Sequence, residues 1–281
     1  MSGVYQAEIV SNNSIDNEAY LLTLKAPEIA RASMPGNFVQ LKIEMADGGF
    51  WRRPFSVLDT DGGNIKILYK PLGKGTLALT KFPPGKIVSV IGALGNSFSF
   101  PSRDSMIILT GGGIGVPPLY NLAKHLIKSD YNPRNIHFFN GAAGHDSIVY
   151  LEESAELGIN VYAVTEDGSM GIKGYVTDGV KQFLNGMSKT SLSNEPVMYA
   201  CGPMPMLRAV GLMVSEYDVY CEMALEALMP CGFGICMGCV VMARDDKSVE
   251  GFSYKRVCRE GPVFRADDII WETDGKKWLN Y

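Results

Sequence analysis

Alternating apolar and polar positions fill the first hundred residues of the chain in short runs. β-Branched and aromatic residues recur at every second position of these runs, which predicts strands rather than helices. Glycine- and proline-containing turns are predicted between them at residues 35–36, 47–49, 61–63 and 83–85. Short strands punctuated in this way are typical of a small six-stranded antiparallel barrel. The six predicted strands cover residues 4–10, 20–25, 38–43, 55–58, 65–69 and 87–91.

The pattern changes near Pro101, where apolar strands begin to alternate with stretches of helical spacing. Strands are predicted at residues 106–109, 136–139, 161–164 and 197–200. This alternation of strands and helices indicates a parallel α/β sheet. Helical spacing is carried by Leu119, Leu122, Ala123, Leu126 and Ile127, and again by Leu207, Val210 and Val214.

From Cys221 onward the chain is rich in cysteine and glycine, with one short predicted strand at residues 240–243. The sequence therefore predicts three domains: an antiparallel barrel at 1–102, a parallel α/β domain at 103–220 and a small module at 221–281. A chain of 281 residues is long enough for this division, because domains commonly contain about 100–200 residues.

Composition narrows the function classes. Hydrophobic residues make up 46% and charged residues 20%, which are globular values and exclude disordered and collagen-like chains. A net charge of −4 without a basic run argues against nucleic-acid binding. No apolar run reaches the ~18 residues of a membrane span, and the first residues lack the pattern of a signal peptide. A cytoplasmic protein is expected.

Four of the six cysteines lie close together near the C-terminus, in the order C-x4-C-x2-C-x18-C. This spacing is that of plant-type [2Fe–2S] sites, whose thiolate ligands come mostly from one tight loop. A structural zinc site and four free thiols are the alternatives, although zinc ribbons usually pair two C-x2-C knuckles. The predicted iron ligands are Cys231, Cys236, Cys239 and Cys258, and Cys221 is left as a buried thiol.

The barrel carries a second candidate site, in Arg53-Pro54-Phe55-Ser56 and the later turn Gly73-Lys74-Gly75-Thr76. A flavin nucleotide needs a cation at its pyrophosphate, and arginine offers a planar fork of donors. It also needs hydroxyl and main-chain groups along its ring, and a glycine turn that lets N–H groups approach phosphate. Either piece alone is equally well explained as an ordinary strand or turn.

Together with Gly92-Ala93-Leu94-Gly95-Asn96, these motifs resemble the flavin domain of the ferredoxin reductase superfamily. The resemblance implies FAD bound on a six-stranded barrel. The FAD-binding residues that it implies are Arg53, Pro54, Phe55, Ser56, Leu68, Tyr69, Lys70, Gly75 and Thr76.

A glycine-rich turn follows the first strand of the α/β domain, a position from which backbone can approach a pyrophosphate. It does not fit the G-x-G-x-x-G dinucleotide fingerprint, because Val116 stands at the sixth position. The superfamily resemblance nevertheless implies nicotinamide binding there and at Cys-Gly-Pro-x-x-Met. No cation except His145 follows the second strand, which favours NAD over NADP. The implied NAD residues are Gly111, Gly112, Gly113, Ile114, Gly115, Cys201, Gly202 and Pro203.

The order of these motifs, with residues 224–239 and 165–177, resembles the electron-transfer subunits of type B dihydroorotate dehydrogenase. The resemblance implies an iron–sulfur flavoprotein of pyrimidine biosynthesis. It implies a separate FMN-containing catalytic subunit that oxidises dihydroorotate, in a heterotetramer with two copies of each chain. Electrons would pass through [2Fe–2S] and FAD to NAD⁺, and no catalytic acid–base set is expected in this chain.

Two other interpretations stay open on the sequence. The same modules would serve as the reductase subunit of another flavin complex, of the NADH-dependent ferredoxin:NADP oxidoreductase or sulfide dehydrogenase type. A non-enzymatic regulatory subunit that keeps a degenerate fold, with zinc at the cysteines, is the third possibility.

Overall fold

The computed structural model describes residues 3–15, 19–44, 50–187, 195–273 and 276–277. Its N-terminal part is one antiparallel sheet with the strand order β4-β3-β7-β1-β2-β6-β5. The strands are β1 (Gly3–Ser14), β2 (Tyr20–Lys25), β3 (Phe38–Glu44), β4 (Phe50–Ser56), β5 (Asp59–Asp61), β6 (Asn64–Tyr69) and β7 (Ile87–Leu94), with the short helices α1 (Pro27–Ala32) and α2 (Lys74–Leu79) between them.

Strict alternation in sequence explains how this sheet closes around a core. On β3, Val39, Leu41 and Ile43 are fully buried and face inward. Corresponding positions of the other strands, including Ile9, Leu24 and Ile67, fill the same cluster. Residues of one face of a strand share one environment, so an alternating sequence specifies a half-buried sheet.

The sheet has seven strands, where six were predicted. The additional strand, β5, has the sequence Asp-Thr-Asp and carries no apolar alternation that would reveal it. It pairs with β6 across Gly62 and Gly63, whose φ angles of 55° and 87° suit a tight turn. Strand β4 also begins earlier than predicted, at Phe50. The turn predicted at 47–49 lies outside the described residues.

The middle of the chain forms a second sheet, whose strands run parallel in the order β11-β10-β9-β8-β12-β13. All residues of β8 are buried, as expected for a strand covered on both faces. The strands are β8 (Ile107–Gly112), β9 (Ile136–Ala142), β10 (Asn160–Thr165), β11 (Ile172–Lys173), β12 (Val197–Cys201) and β13 (Tyr220–Ala224).

Four helices cover this sheet, namely α3 (Val116–Lys128), α4 (Leu151–Ala155), α5 (Val176–Gly186) and α6 (Met204–Tyr217). Helix α3 begins with Pro117 and Pro118 in its first turn, where a missing N–H costs nothing. Its buried residues include Leu119, Leu122 and Leu126, so the predicted helical spacing is confirmed. Single 3₁₀ turns occur at Gly113–Gly115, Pro133–Asn135, His145–Ser147 and Ala266–Asp268. None of the described helices is both long and apolar enough to cross a bilayer.

The cysteine-rich segment does not fold apart from the α/β sheet. Strand β16 (Val263–Arg265) pairs antiparallel with β13 and completes that sheet. The segment's own sheet consists of β14 (Val240–Arg244) and β15 (Phe252–Arg256), and β17 (Glu272–Thr273) pairs with β18 (Lys276–Lys277).

Polar contacts join the three parts of the chain. Between barrel and α/β sheet, Lys124 Nζ lies 2.6 Å from Asp59 Oδ2. Asn121 donates to the carbonyl oxygen of Val57 at 2.9 Å. At the other junction, Asn96 donates to the carbonyl of Val263 and accepts from its N–H at 2.8 and 2.9 Å. These contacts bring the ends of all three parts to a common region, where the candidate sites lie.

Candidate cofactor and nucleotide sites

The Arg-Pro-Phe-Ser motif occupies the end of β4, at the edge of the barrel sheet. Arg53 of this motif lies close to the glycine turn at residues 73–76. A Cβ atom added at Gly75 would be 3.5 Å from Arg53 Nε. In the same turn, the Thr76 hydroxyl accepts a hydrogen bond from the Gly73 N–H at 3.1 Å. The fold therefore brings Arg53 close to the turn that contains Gly75 and Thr76, which lies more than twenty residues later in the sequence.

A cavity of about 250 Å³ opens beside this strand. Pro54, Phe55 and Ser56 form its barrel side, and Ile114 and Gly115 of the α/β domain form another. Cys201, residues 224–227 and Met229 also line the cavity, and this segment leads into the cysteine loop at residues 231–239. A planar group bound here would touch the barrel, the α/β domain and the cysteine-rich segment at once.

The side chains of the predicted FAD-binding residues Leu68, Tyr69 and Lys70 lie in three different environments. Tyr69 is buried in the barrel, where its hydroxyl donates to Asn12 Oδ1 at 3.0 Å and its ring stacks on Tyr20. Burial raises the pKa of its phenol, so it stays neutral. Leu68 is buried in the cluster shared with the α/β domain. Of the three side chains, Lys70 alone lines one of the described cavities, the second one.

This second cavity, of about 510 Å³, lies at the carboxyl ends of the parallel strands. Gly112 ends β8 and Gly113 follows it, Ala142 ends β9, and Glu166 follows β10. Open α/β sheets bind ligands at this edge. Pro203 and Met206, from the second predicted nicotinamide signature, form the opposite side.

Two charged side chains, Lys70 and Glu166, stand among the residues that line the second cavity. Glu166 follows the third strand of the domain, within the segment 165–177 that resembles the family, but no role in nucleotide binding was predicted for it. His145, the one cation noted after the second strand, lies outside the cavity lining and is paired with Asp146 at 3.1 Å. Strands β9 and β10 are parallel neighbours, so their carboxyl ends lie side by side. The residue that follows β10, Glu166, is therefore also expected at this edge of the sheet.

The two glycine-containing signatures of the α/β domain pack directly on each other. A Cβ atom at Gly115 would lie 2.5 Å from Gly202 Cα and 2.6 Å from the Cys201 carbonyl oxygen. A side chain at Gly112 would overlap Met206 Sδ. Glycine is required at these positions by close approach of the two turns, whether or not a ligand is bound.

The Cys201 thiol lies on the wall of the first cavity and is buried. Burial raises its pKa, and the nearby Glu226 carboxylate adds to the effect, so the thiol is neutral. Desolvation also raises the pKa of the Glu226 carboxyl, which lines the first cavity.

The four predicted ligands differ in how far they are buried. Cys236 is exposed and Cys231 half-buried, whereas Cys239 and Cys258 are buried. Backbone N–H groups point at the sulfurs: Gly238 donates to Cys236 Sγ at 3.4 Å, and Cys258 donates to Cys239 Sγ at 3.5 Å. Burial opposes ionisation of Cys231, but N–H groups of residues 233, 235 and 236 outweigh it and lower its pKa to about 6.

Interactions link all four sulfurs. Hydrogen bonds join Cys231 to Cys236 and Cys239 to Cys258, and the Cys231 charge adds to the burial that raises the pKa of Cys258 to about 12. Among the described residues, no three His, Cys, Asp or Glu side chains converge as a single-ion site would require. Four cysteines with the plant-type spacing fit [2Fe–2S] better than zinc, whose ribbons usually pair two C-x2-C knuckles.

Two residues that the sequence analysis missed hold the loop from opposite sides. Arg256, whose guanidinium is paired with Glu260, donates to the Gly234 carbonyl oxygen at 2.6 Å. From the barrel, Gln40 Nε2 donates to the Met229 carbonyl oxygen at 3.3 Å. Neither residue belongs to a motif, and both are recognisable only from the tertiary contacts. Cys221 lies apart on β13 and is buried, as predicted.

Comparison with known proteins agrees with this geometry. Residues 226–270 match the iron-sulfur cluster binding domain of dihydroorotate dehydrogenase B, and residues 109–211 match the oxidoreductase NAD-binding domain. The chain is 38% identical to the dihydroorotate dehydrogenase B (NAD(+)) electron transfer subunit of Geobacillus thermodenitrificans (strain NG80-2). That alignment covers 96% of this chain and 100% of the relative. The chain belongs to this family of electron transfer subunits.

A second family member, from Caldanaerobacter subterraneus subsp. tengcongensis, is 35% identical over 95% of this chain and 98% of its own length. Solved structures of related folds extend the comparison. A structure of NADH-dependent reduced ferredoxin-NADP oxidoreductase superposes with a TM-score of 0.80 at 27% identity, covering 96% of this chain and 92% of the other. A ferredoxin NADP⁺ reductase from Neisseria gonorrhoeae, at 14% identity and TM-score 0.63, covers 81% of this chain and 95% of its own, and shares the fold.

The family resemblance predicted from the motifs is thus confirmed. The architecture is confirmed as a ferredoxin-reductase-like fold with an antiparallel sheet, an α/β domain and an iron–sulfur binding segment.

Proposed function

We propose that this chain is the electron-transfer subunit of a dihydroorotate dehydrogenase and serves pyrimidine biosynthesis. Its cofactors would carry electrons from a dihydroorotate-oxidising FMN subunit through [2Fe–2S] and FAD to NAD⁺. The observation that carries the proposal is the course of residues 224–239: residues 224–227 and Met229 line the first cavity, and the chain continues directly into the cysteine loop. One short segment thereby connects a flavin-sized cavity to a two-iron donor set.

For FAD, we infer that Arg53 neutralises the pyrophosphate, with N–H groups of the turn at Gly75 and the Thr76 hydroxyl beside it. Pro54, Phe55 and Ser56 would contact the ring, because they line the first cavity. Leu68 and Tyr69 would contribute backbone groups, since both side chains are buried elsewhere. Lys70 lines the second cavity, so its ammonium would serve a phosphate where the two nucleotides meet.

For the cluster, the proposed ligands are Cys231, Cys236, Cys239 and Cys258. The protein's contribution is to direct N–H groups at the sulfurs of Cys236 and Cys239, which stabilises negative charge. The buried Cys239 and Cys258 would lie on the protein side of the cluster, and the half-buried Cys231 and the exposed Cys236 on the solvent side.

For NAD, the second cavity is the proposed site. Gly111, Gly112, Gly113, Ile114 and Gly115 would offer backbone to the dinucleotide, facing Cys201, Gly202 and Pro203. The neutral Cys201 thiol and Gly115 lie on the wall of the first cavity, where a nicotinamide could approach a flavin. The Glu166 carboxylate would accept hydrogen bonds from ribose hydroxyls and repel a 2′-phosphate, which favours NAD over NADP.

The proposed functional division is 1–102 for FAD, 103–220 for NAD and 221–281 for the cluster, even though β13 and β16 of the last segment complete the α/β sheet. We place the protein in the cytoplasm.

The catalytic partner is proposed to dock on the cysteine loop, in a heterotetramer with two copies of each chain. Four apolar side chains around the loop are exposed: Leu228 (70%), Phe233 (43%), Ile235 (75%) and Met237 (50%). We call them the loop patch. Apolar groups clustered on a surface mark protein interaction sites, and this patch surrounds the exposed ligand Cys236.

A reductase subunit of an NADH-dependent ferredoxin:NADP oxidoreductase is the second candidate, favoured by the 0.80 TM-score to such a complex. The higher identity to the dihydroorotate dehydrogenase subunits, 38% against 27%, favours the first.

The test is an anaerobic absorption spectrum of the purified chain with iron and sulfide assays, before and after NADH or NADPH. Flavin and iron–sulfur absorption bleached by NADH in preference to NADPH supports the proposal. A colourless or zinc-containing protein would contradict it. Addition of a dihydroorotate-oxidising FMN subunit, followed by dihydroorotate, then distinguishes the two candidates.

A further inference from the structure

Gln40 lies on β3 at a position that the sequence pattern assigns to solvent. Its neighbours Val39 and Leu41 face the barrel interior, so Gln40 faces outward. It is nevertheless fully buried, with 0% exposure, because the cysteine-rich segment covers this part of the barrel. A buried amide is costly unless its polar groups are paired, so its presence at this contact calls for an explanation.

The Gln40 side chain touches the cysteine loop at two points. Its Nε2 donates to the Met229 carbonyl oxygen at 3.3 Å, two residues before the ligand Cys231. Its Cδ would lie 2.5 Å from a Cβ atom at Gly232, the residue after that ligand. Gly232 has φ +79°, so both space and backbone conformation favour glycine there.

The same residue adjoins the flavin-binding strand. In the antiparallel register Gln40 is paired with Pro54 of β4, which lines the first cavity. Met229, the acceptor of its hydrogen bond, lines that cavity as well. Gln40 therefore contacts the cavity wall on one side and both flanks of an iron ligand on the other.

Its acceptor oxygen is not used in these contacts. Gln40 Oε1 is buried and has no hydrogen-bond partner among the described residues. An apolar side chain of similar length would fill the space without leaving a buried acceptor unpaired. Packing alone therefore does not account for glutamine.

We propose that Gln40 is a positioning residue that fixes the cysteine loop against the flavin strand and thereby sets the rate of electron transfer between the cluster and FAD. This inference rests on the proposed function of both sites. The electron leaves one group and reduces the other, and Gln40 exchanges neither electrons nor protons. Its role is to maintain the separation and relative orientation of the two sites.

The test compares Gln40→Leu, which removes the donor at similar size, with Gln40→Glu, which keeps the shape and replaces the donor by a carboxylate. The matched control is Gln6→Leu, the same change at an exposed glutamine on β1 of the same sheet. Each protein is purified anaerobically with the full chain, and its flavin, iron and sulfide are counted. Stopped-flow absorption then follows FAD reduction by NADH separately from the subsequent reduction of the cluster.

We expect both Gln40 variants to keep FAD and iron, and to reduce FAD with NADH at the control's rate. Cluster reduction should slow by about tenfold, because the rate of electron transfer falls steeply with the separation and misorientation of the two sites that Gln40 holds together. In Gln40→Glu the added negative charge should also lower the cluster's reduction potential, measured by a redox titration followed by electron paramagnetic resonance. A purely structural role would lower thermal stability and leave both quantities unchanged.

Unchanged cluster reduction in both variants would overturn the inference. Loss of iron from both would also overturn it, because Gln40 would then be needed to form the cluster site rather than to set transfer. A wild-type chain that lacks flavin or iron would instead contradict the proposed function, so the two failures are distinguishable.

Discussion

At the scale of single residues, environment decides which of several similar side chains can do chemistry. The six cysteines divide into two neutral buried thiols, Cys201 and Cys221, and the four predicted ligands, of which three share a loop and Cys258 lies beside it. Desolvation raises the pKa of the first two, whereas N–H groups lower the pKa of Cys231 to about 6. The backbone therefore prepares the Cys231 sulfur to carry negative charge.

Substitution Cys236→Ser should remove the cluster. Serine oxygen is a harder ligand than thiolate and suits iron–sulfur clusters poorly, so iron and sulfide should fall to background while FAD and its reduction by NADH persist. Cys221→Ser is the matched control, since Cys221 is buried on β13 away from the loop. Metal analysis and visible absorption report the result, and wild-type iron content in Cys236→Ser would refute the ligand assignment.

Substitution Glu166→Arg should shift the nucleotide preference toward NADP. Hydrogen bonds to a charged group contribute about 1.5–3 kcal/mol, which corresponds to roughly tenfold to a hundredfold in affinity. Calorimetric titration with ADP-ribose and with 2′-phospho-ADP-ribose measures this without any redox step. Glu156→Arg, the same charge change at an exposed residue of the same domain, should leave the ratio unchanged. An unaltered ratio in Glu166→Arg would exclude Glu166 from the adenosine subsite.

At the scale of elements, the glycine turn after β8 and the turn after β12 function as one unit. Neighbouring parallel strands bring their carboxyl ends together, and the pairing of Cys201 with Gly111 fixes the relative height of the two turns. The turns then approach so closely that only glycine fits between them. The dinucleotide cavity is therefore a consequence of the strand register as well as of the motif residues.

Substitution Gly115→Ala should damage this unit. The new methyl group would lie 2.5 Å from Gly202 Cα and meet backbone that cannot rotate away. Overpacking of this kind costs about 1–3 kcal/mol, and displacement of the turn should slow FAD reduction by NADH. Gly186→Ala is the control, because no atom lies within 4 Å of the Cβ position there. Thermal denaturation and stopped-flow absorption measure the two effects; equal melting temperatures for both variants would contradict the argument.

At the scale of the whole molecule, the cysteine-rich segment is integrated into both other parts. It adds β16 to the α/β sheet and covers Gln40 and Phe38 of the barrel. The inner sulfurs of Cys239 and Cys258 belong to the same buried cluster as Phe38 and Leu94. One side of the donor set thus faces the protein core, and the other faces the loop patch.

Substitution Ile235→Asp should abolish coupling to the catalytic partner without loss of cofactors. Ile235 is 75% exposed in the loop patch, and a buried unpaired charge is strongly unfavourable at an interface. Leu212→Asp, on the exposed face of α6, provides the control. Size-exclusion chromatography with the FMN subunit, together with dihydroorotate-dependent NAD⁺ reduction, gives the readout. Normal assembly of Ile235→Asp would exclude the loop patch as the docking surface.

Local patterns in the sequence predicted most strands and helices of the first two parts, and they located the motifs from which the candidate sites are proposed. Alternation in β3 and the 3-4 spacing in α3 reflect which face is buried, and that information is present in neighbouring residues. The four clustered cysteines are similarly local, since three ligands occupy nine consecutive positions. The short strand β5 and the strands β13 and β16 were missed because their pairing, rather than their composition, makes them strands.

Only the tertiary structure decided which residues complete the sites. Gln40 and Arg256 belong to no motif, and each becomes significant through a contact with a segment distant in sequence. Glu166 lies in the segment 165–177 that resembles the family, but only the tertiary structure places it on the wall of the second cavity. The alternation of apolar and polar residues in β3 correctly assigns Val39 and Leu41 to the core and wrongly assigns Gln40 to solvent. Such alternation shows only which face of the strand turns away from the barrel core. It contains no information about a second element, here the cysteine-rich segment, that covers the opposite face.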